Sequence, residues 1–320
     1  MSKYRDKPLS FEGLKTVPIA ERGGKVEVQH FARPYKKGGG MAGFLDALPK
    51  ILAADSFRGV IEALRQARAR KRAILWGMGG HVVKCGLAGP LLDLMRRGWV
   101  TGFVMNGAAS IHDFEIAIAG QTSEDVEAVL PDGRFGAAEE TGRAMNEAIA
   151  AGVRDGLGMG EALGRRLEAL AKPEFAPHSL VAAAYRANVP VTVHVAMGTD
   201  TPHTHPAADG AAIGAATHRD FQLLCSLVRG LDQGGVYLNV GSAVVLPEVF
   251  LKAVSVVRNL GYPLADFTTV NFDFLQHYRP KVNVVERPHA QRGGRGFAIT
   301  GHHELMIPLL AAALIESEEE

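Results

Sequence analysis

The sequence holds only two cysteines in 320 residues, Cys85 and Cys225. That excludes a disulfide-stapled scaffold and fits a reducing, cytoplasmic compartment. It also lacks a charge surplus, with a formal net charge of +1. Nothing electrostatic therefore favours nucleic acid or an anionic membrane as a partner. Long hydrophobic runs are missing too: Gly, Pro or a charge breaks each one before the roughly 18 residues that a bilayer crossing needs. The opening MSKYRDKPLS is charged throughout, with no apolar centre, and does not read as a secretory signal.

What remains is the composition of a globular enzyme, 47% hydrophobic and 22% charged, and long enough for a substantial core. Residues 1–50 are mixed in polarity and contain KKGGGMAGF, a flexible joint, so they read as an arm packing on the body or on a neighbouring subunit. Residues 51–320 read as a single α/β domain. Apolar positions 57, 60, 61 and 64 predict a helix over 57–70. Short strands follow at 72–76 and 99–105, with a helix at 82–97 between them. A largely helical section fills 109–172. Alternation resumes with a helix at 177–188 and a strand at 190–197. Helices are then expected at 217–230, 247–259 and 303–315, with strands at 235–240 and 265–271 and a strand-like GFAIT before the last helix. The ESEEE tail reads as a frayed end. Strands apolar on both faces and separated by helices predict a parallel sheet covered on both sides.

Glycine, at 37 residues, matters for where it falls. ILWGMGGHVVKCG (74–86) runs from a strand through Gly77, Gly79 and Gly80 into a helix. Such a turn exposes backbone N–H groups at a positive helix end, which suits phosphate. It is not the G-x-G-x-x-G fingerprint, because Val82 occupies the third glycine's place, and the acidic residue expected after the second strand is replaced by Asn106. The segment has an echo at 236–274. Gly79-Gly80 corresponds there to Gly241-Ser242, Val82-Val83 to Val244-Val245, and Asn106 to Asn271. Any two βαβ units look alike at this level, yet two related turns at strand ends are also where open α/β sheets bind ligands.

Other polar groups gather at predicted strand ends. Asn106-Gly107 leads to Ser110, a possible cap, and then to His112-Asp113, while Asn271 and Asp273 hold the matching place in the echo. In GTDTPHTHPAADGAAIG (198–214), Asp200 and Asp209 suit a ribose hydroxyl or an amine, although aspartate beside glycine is also ordinary turn chemistry. His203 and His205 form a plausible metal pair, to which His194 and the His302-His303 pair would add ligands. Gly301-His302-His303-Glu304 marks one more strand-end cluster.

These segments together resemble the deoxyhypusine synthase family. GGHVVKCG…LMRRGWVTGFVMNGA is similar to that family's G-G-G-V-V-K segment followed by L-M-R-x-G and a strand ending in Asn-Thr-Ala. PVTVHVAMGTDTPHTHPAADGAAIG resembles its P-V-F-x-P-A-L-T-D-G-S-x-G stretch with a histidine-bearing expansion, and ITGHHELMIPLLAAALI its terminal A-D-A-S-L-V-F-P-L-L region. The likeness spans about residues 57–315. It implies a Rossmann-like parallel sheet that binds NAD, a homodimer or homotetramer with sites at the interface, and a small-molecule amine substrate oxidised by hydride transfer before its aminobutyl group moves through an enzyme–imine. The family's imine-forming lysine lies in a W-G-K motif after A-R-P. Here Arg279-Pro280 is followed by KVNVVERPHAQRGGRG, which has no W-G-K. Arg287 cannot form an imine at neutral pH, so Lys84 and Lys281 are the substitutes.

The expectation is thus an NAD-dependent enzyme of the deoxyhypusine synthase type acting on a polyamine or related amine, and not a true translation-factor-modifying enzyme. Lys84, Asp209 and His194 are the catalytic candidates. Gly77, Gly79, Gly80, Asn106, Gly107, Asp200, Gly241, Ser242, Asn271 and Asp273 are the cofactor-binding candidates. The alternatives are a metal-dependent hydrolase using His203 and His205, or a non-catalytic NAD- or ligand-binding paralogue.

Overall fold

The computed structural model describes residues 3–318; positions 1–2 of the arm and 319–320 of the acidic tail lie outside the described residues. The arm carries two short 3-10 turns and helix α1 (Gly40–Ala47), which takes up the second half of the predicted joint. It is exposed almost throughout. Helix α2 (Leu52–Ala69) then starts five residues earlier than its apolar spacing predicts, and buries Phe57, Val60, Ile61, Leu64 and Ala67. Each of the four larger side chains removed from water contributes about 1.5–3 kcal/mol, so this stripe ties the helix to the body.

Strand β1 (Ile74–Met78) is followed by a helix in two pieces, α3 (Gly80–Lys84) and α4 (Ala88–Arg96), where one helix is expected over 82–97. The break falls at Gly86, whose φ of +73° is readily reached by glycine and ends the first turn. Strand β2 (Gly102–Asn106) leads into the helical section α5 (Gly107–Ala119), α6 (Val126–Val129), α7 (Glu139–Arg154) and α8 (Met159–Leu170). The α/β alternation resumes with α9 (Leu180–Arg186), β3 (Val191–His194), α10 (Gly210–Arg229), β4 (Gly235–Val240), α11 (Val245–Asn259) and β5 (Phe267–Asp273). A π-helical segment (Pro280–Glu286) precedes β6 (Arg295–Thr300) and α12 (His303–Glu316). The tail does not fray at Glu318, whose carboxylate accepts from Trp99 Nε1 at 2.9 Å and Arg97 Nη1 at 2.8 Å.

The six strands form one sheet in the order β3-β2-β1-β4-β5-β6, every pair parallel. Side chains alternate between two cores, as the strand period of two requires. Ile74, Trp76, Met78, Phe103 and Met105 enter one core with α2, α4 and α12. Leu75, Val104 and Tyr237 enter the other with α10 and α11. Gly77, read from the sequence as part of the phosphate turn, lies inside β1 instead. A Cβ there would stand 2.5 Å from the Tyr237 hydroxyl. The missing side chain makes room for Tyr237, which stacks on Phe250 with ring centroids 3.8 Å apart. Gly77→Ala is therefore expected to destabilise the protein by about 2 kcal/mol through overpacking. A urea midpoint equal to that of the wild type would refute this account.

Candidate functional site

The strand order changes direction between β1 and β4, and the two glycine turns of the echo meet there. Met78 and Val240 are paired in the ladder, and the Gly79 N–H donates to the Val240 carbonyl at 2.9 Å. A Cβ on Gly79 would sit 2.1 Å from the Gly241 carbonyl oxygen. The turns touch through backbone alone, so glycine at 79 is a packing requirement. Gly80 is as tightly placed: a Cβ would stand 2.9 Å from that of Ala108 on α5. Gly241 has φ +66°, a left-handed conformation, and packs against the His303 ring. Ser242 is buried, its Oγ accepting from Leu246 N at 3.2 Å in the turn that opens α11.

A cavity of about 1090 Å³ opens at the end of α3, bounded by α5, α7 and the loops after β3 and α5. Lys84 from the end of α3 lines it, with His112, Glu115, Glu139, Glu147 and Asp200. Asp200 gives the clearest signal. Its carboxylate lies against Gly107, where a Cβ would come within 2.0 Å of Oδ2. That oxygen is buried and has no hydrogen-bond partner. Burial pushes the Asp200 carboxyl up, against the opposing pull of His203 and Thr199. A carboxylate thus stands at the end of β2, and it comes from the loop after β3.

His112 is half-buried and pairs through Nδ1 with Thr122 Oγ1 at 2.7 Å. Thr122 in turn donates to Glu115, which also accepts from Thr141 Oγ1 at 3.2 Å. Burial, and secondly the Lys84 charge, press His112 down to about 4, so it is neutral at physiological pH. Glu115, Thr122 and Thr141 did not stand out in the sequence. Their separation along the chain hides the network.

The remaining candidates take local roles. Asn106 caps α5, its Oδ1 accepting from Ala109 N at 2.9 Å. Asn271 accepts from Asn239 Nδ2 at 2.7 Å and donates to Gln276 at 2.8 Å. Asp273 accepts from Phe274 N at 2.9 Å. Asp209 caps α10 through two N–H groups and lies outside the cavity lining. His194 is 3% exposed at the end of β3, held to Thr192 at 3.0 Å and pressed by burial to about 3. It too is absent from the cavity wall, and its burial disfavours the charged form. Ser110 and Asp113 are both buried: Ser110 bonds the Gly107 carbonyl, and Asp113 accepts from Ser179 Oγ, Leu180 N and Val181 N. Lys281 is exposed and stands 4.0 Å from Glu286, outside the cavity wall.

His203 and His205 do not converge. The first has Nε2 3.9 Å from Asp200 and the second 3.0 Å from Glu139, while backbone N–H groups of Gly198 and Ala207 occupy their Nδ1 atoms.

No family model matches the sequence, and no curated protein matches it. Solved structures share the fold. A protein of Entamoeba histolytica, provisionally named a deoxyhypusine synthase, aligns over 89% of this chain and 96% of its own at 12% identity, with a TM-score of 0.51. A provisionally named LOR/SDH protein of Methanococcus maripaludis S2 aligns over 83% of this chain and 71% of its own, at 14% identity and a TM-score of 0.51. The cyanobacterial arginine dihydrolase ArgZ in its apo form covers 85% of this chain at 17% identity and a TM-score of 0.51. This chain spans 34% of the ArgZ length. The likeness is one of fold: the protein has a parallel α/β architecture similar to that of a deoxyhypusine synthase.

Proposed function

We propose that this chain is an NAD-dependent enzyme acting on a polyamine or related small amine, with chemistry of the aminobutyl-transfer type. The observation that carries this reading is the cavity itself, whose wall gathers Lys84, Asp200 with its unpartnered oxygen, and the Glu115 network. Doubly wound sheets hold dinucleotides where the strand order reverses, with an acidic residue on the ribose hydroxyls. The residue that fits that group is Asp200, whose Oδ2 is an acceptor without a hydrogen-bond partner beside Gly107 at the end of β2.

When bound, NAD supplies a hydride acceptor for the carbon next to an amine nitrogen. The chain's own groups do the rest. Glu115, Glu139 and Glu147 suit the ammonium groups of a polyamine, and Asp200 the ribose hydroxyls. The Lys84 amine adds to the oxidised carbon, whose original nitrogen leaves as a free amine carrying the proton that Lys84 gives up. The carbon chain stays on Lys84 as an imine until an acceptor amine adds and releases the lysine. Neutral His112 accepts a hydrogen bond within this exchange.

Purified protein is expected to melt at a higher temperature with NAD, and with NAD and spermidine to produce NADH or 1,3-diaminopropane. Asp200→Asn should weaken NAD binding by about ten- to a hundredfold, since hydrogen bonds to a charged acceptor are worth roughly 1.5–3 kcal/mol. Absence of any NAD-dependent shift in calorimetry would end the cofactor assignment, and NAD binding without amine oxidation would end the enzymatic one.

A further inference from the structure

A second chemical cluster stands apart from the cavity wall and has no part in the amine chemistry. His81 and Cys85 are four residues apart, on α3 and at its C-cap, so they share one side of the turn. Glu304, in the first turn of α12, approaches from more than two hundred positions away, with its Oε2 3.7 Å from Cys85 Sγ. The imidazole nitrogen, the sulfur and the carboxylate oxygen all lie within 4.8 Å of one another. Among the described residues this is the one group of three such side chains so arranged. His303, 1% exposed, packs on Gly241 and stands 5.6 Å from the His81 ring; its Nδ1 is buried without a partner. A divalent cation takes a cysteine as its thiolate, releasing the thiol proton on binding.

We propose that His81, Cys85 and Glu304 bind a divalent transition-metal ion of the zinc type. The donor set decides the class of ion. Imidazole with thiolate selects zinc and its neighbours over magnesium or calcium, which want oxygen ligands. One thiolate and one carboxylate neutralise the two positive charges. Bond lengths of about 2.0–2.3 Å require the three donor atoms to draw in to roughly 3.5 Å of one another, a side-chain adjustment for groups that are exposed or half-exposed. Three protein ligands leave a fourth tetrahedral position for water or for an atom of a bound molecule, as in reactive rather than closed structural zinc sites. The site adjoins the Gly79–Gly241 contact, because His81 follows Gly80 directly and His303 precedes Glu304.

The test uses full-length protein stripped by a chelator and titrated with Co²⁺ alone, without NAD or amine, so its outcome is independent of the enzymatic reading. The expected result is a thiolate-to-cobalt charge-transfer absorption that saturates at one ion per chain. Cys85→Ser abolishes the absorption and Cys225→Ser keeps it. His81→Gln and Glu304→Gln each weaken cobalt binding by more than about tenfold. Circular dichroism on every variant ensures that loss of the absorption is read from folded protein, and His81→Gln supplies the decisive comparison should Cys85→Ser fail to fold. A folded wild type without the absorption overturns the proposal. So does an absorption that survives in Cys85→Ser, or cobalt affinity unchanged in both His81→Gln and Glu304→Gln.

Discussion

Replacing Lys84 with alanine is expected to lower amine turnover at least a thousandfold, roughly the loss seen when a covalent nucleophile is removed, and to leave stability unchanged. The two halves of this expectation come from the same geometry. Lys84 is exposed at the end of α3 and lines the cavity. It makes no hydrogen bond or ion pair among the described residues, so truncation removes no native contact of that kind. Its charge is felt by His112, which lines the same cavity. Lys281 stands outside that wall and is not positioned to replace it. Reduction of the imine during turnover adds a second readout. Wild-type protein treated with cyanoborohydride gains the mass of the transferred chain at Lys84, and Lys84→Ala gains none. Turnover that persists in Lys84→Ala, or a mass gain at another lysine, would remove Lys84 from the mechanism.

The second large effect concerns acid stability and rests on His194. Folded, this ring takes up a proton only at about 3; unfolded, it does so at the ordinary 6.5. Between those values the unfolded chain holds the extra proton, so stability is present above pH 6.5 and is lost as the pH falls. By pH 4 the loss amounts to about 3 kcal/mol, a large share of a domain's stability. Two buried carboxyls act in the opposite sense. Burial raises Asp113 to about 6 and Asp220 to about 7. Their folded forms hold the proton over a range where the unfolded ones do not, so they add stability as the pH falls toward 3.8. In the wild type these trends offset one another, and a single pH profile hides them. The difference between wild type and His194→Gln isolates the histidine, because the carboxyls are common to both. Urea unfolding at pH 7 and pH 4 should show the variant gaining about 3 kcal/mol on the wild type in acid. A difference that stays constant between the two pH values would show that His194 ionises in the folded protein.

Much of this protein is written in local pattern. The apolar run read at 72–76 is a strand buried on both faces, found two residues later at Ile74–Met78, and the 57, 60, 61, 64 stripe is one face of a helix. From these the parallel sheet followed, because each strand is separated from the next by a helix. The repeated turn was also legible, since Gly79-Gly80 and Gly241-Ser242 occupy the same place in two similar units. Gly86, a single residue within an otherwise helical run, was not legible as a break. Nor was Gly77 legible as space for a tyrosine 160 positions away, because a glycine in a strand and a glycine in a turn look the same in sequence.

Function-bearing contacts were hidden for the same reason on a larger scale. Asp200 reaches the end of β2 from the loop after β3, and Glu304 reaches Cys85 from the far end of the chain. Side-chain chemistry is local, but convergence depends on strand order, and the crossing from β3 to β4 across two intervening strands leaves no mark in spacing. The sequence by itself determined the period of each element, the glycines that close its turns and the absence of a bilayer-length run. Only the tertiary structure decided that Asp209 is a cap and Asp200 a buried, unpartnered acceptor, since burial and unmet hydrogen bonds arise when distant segments exclude water from the same place.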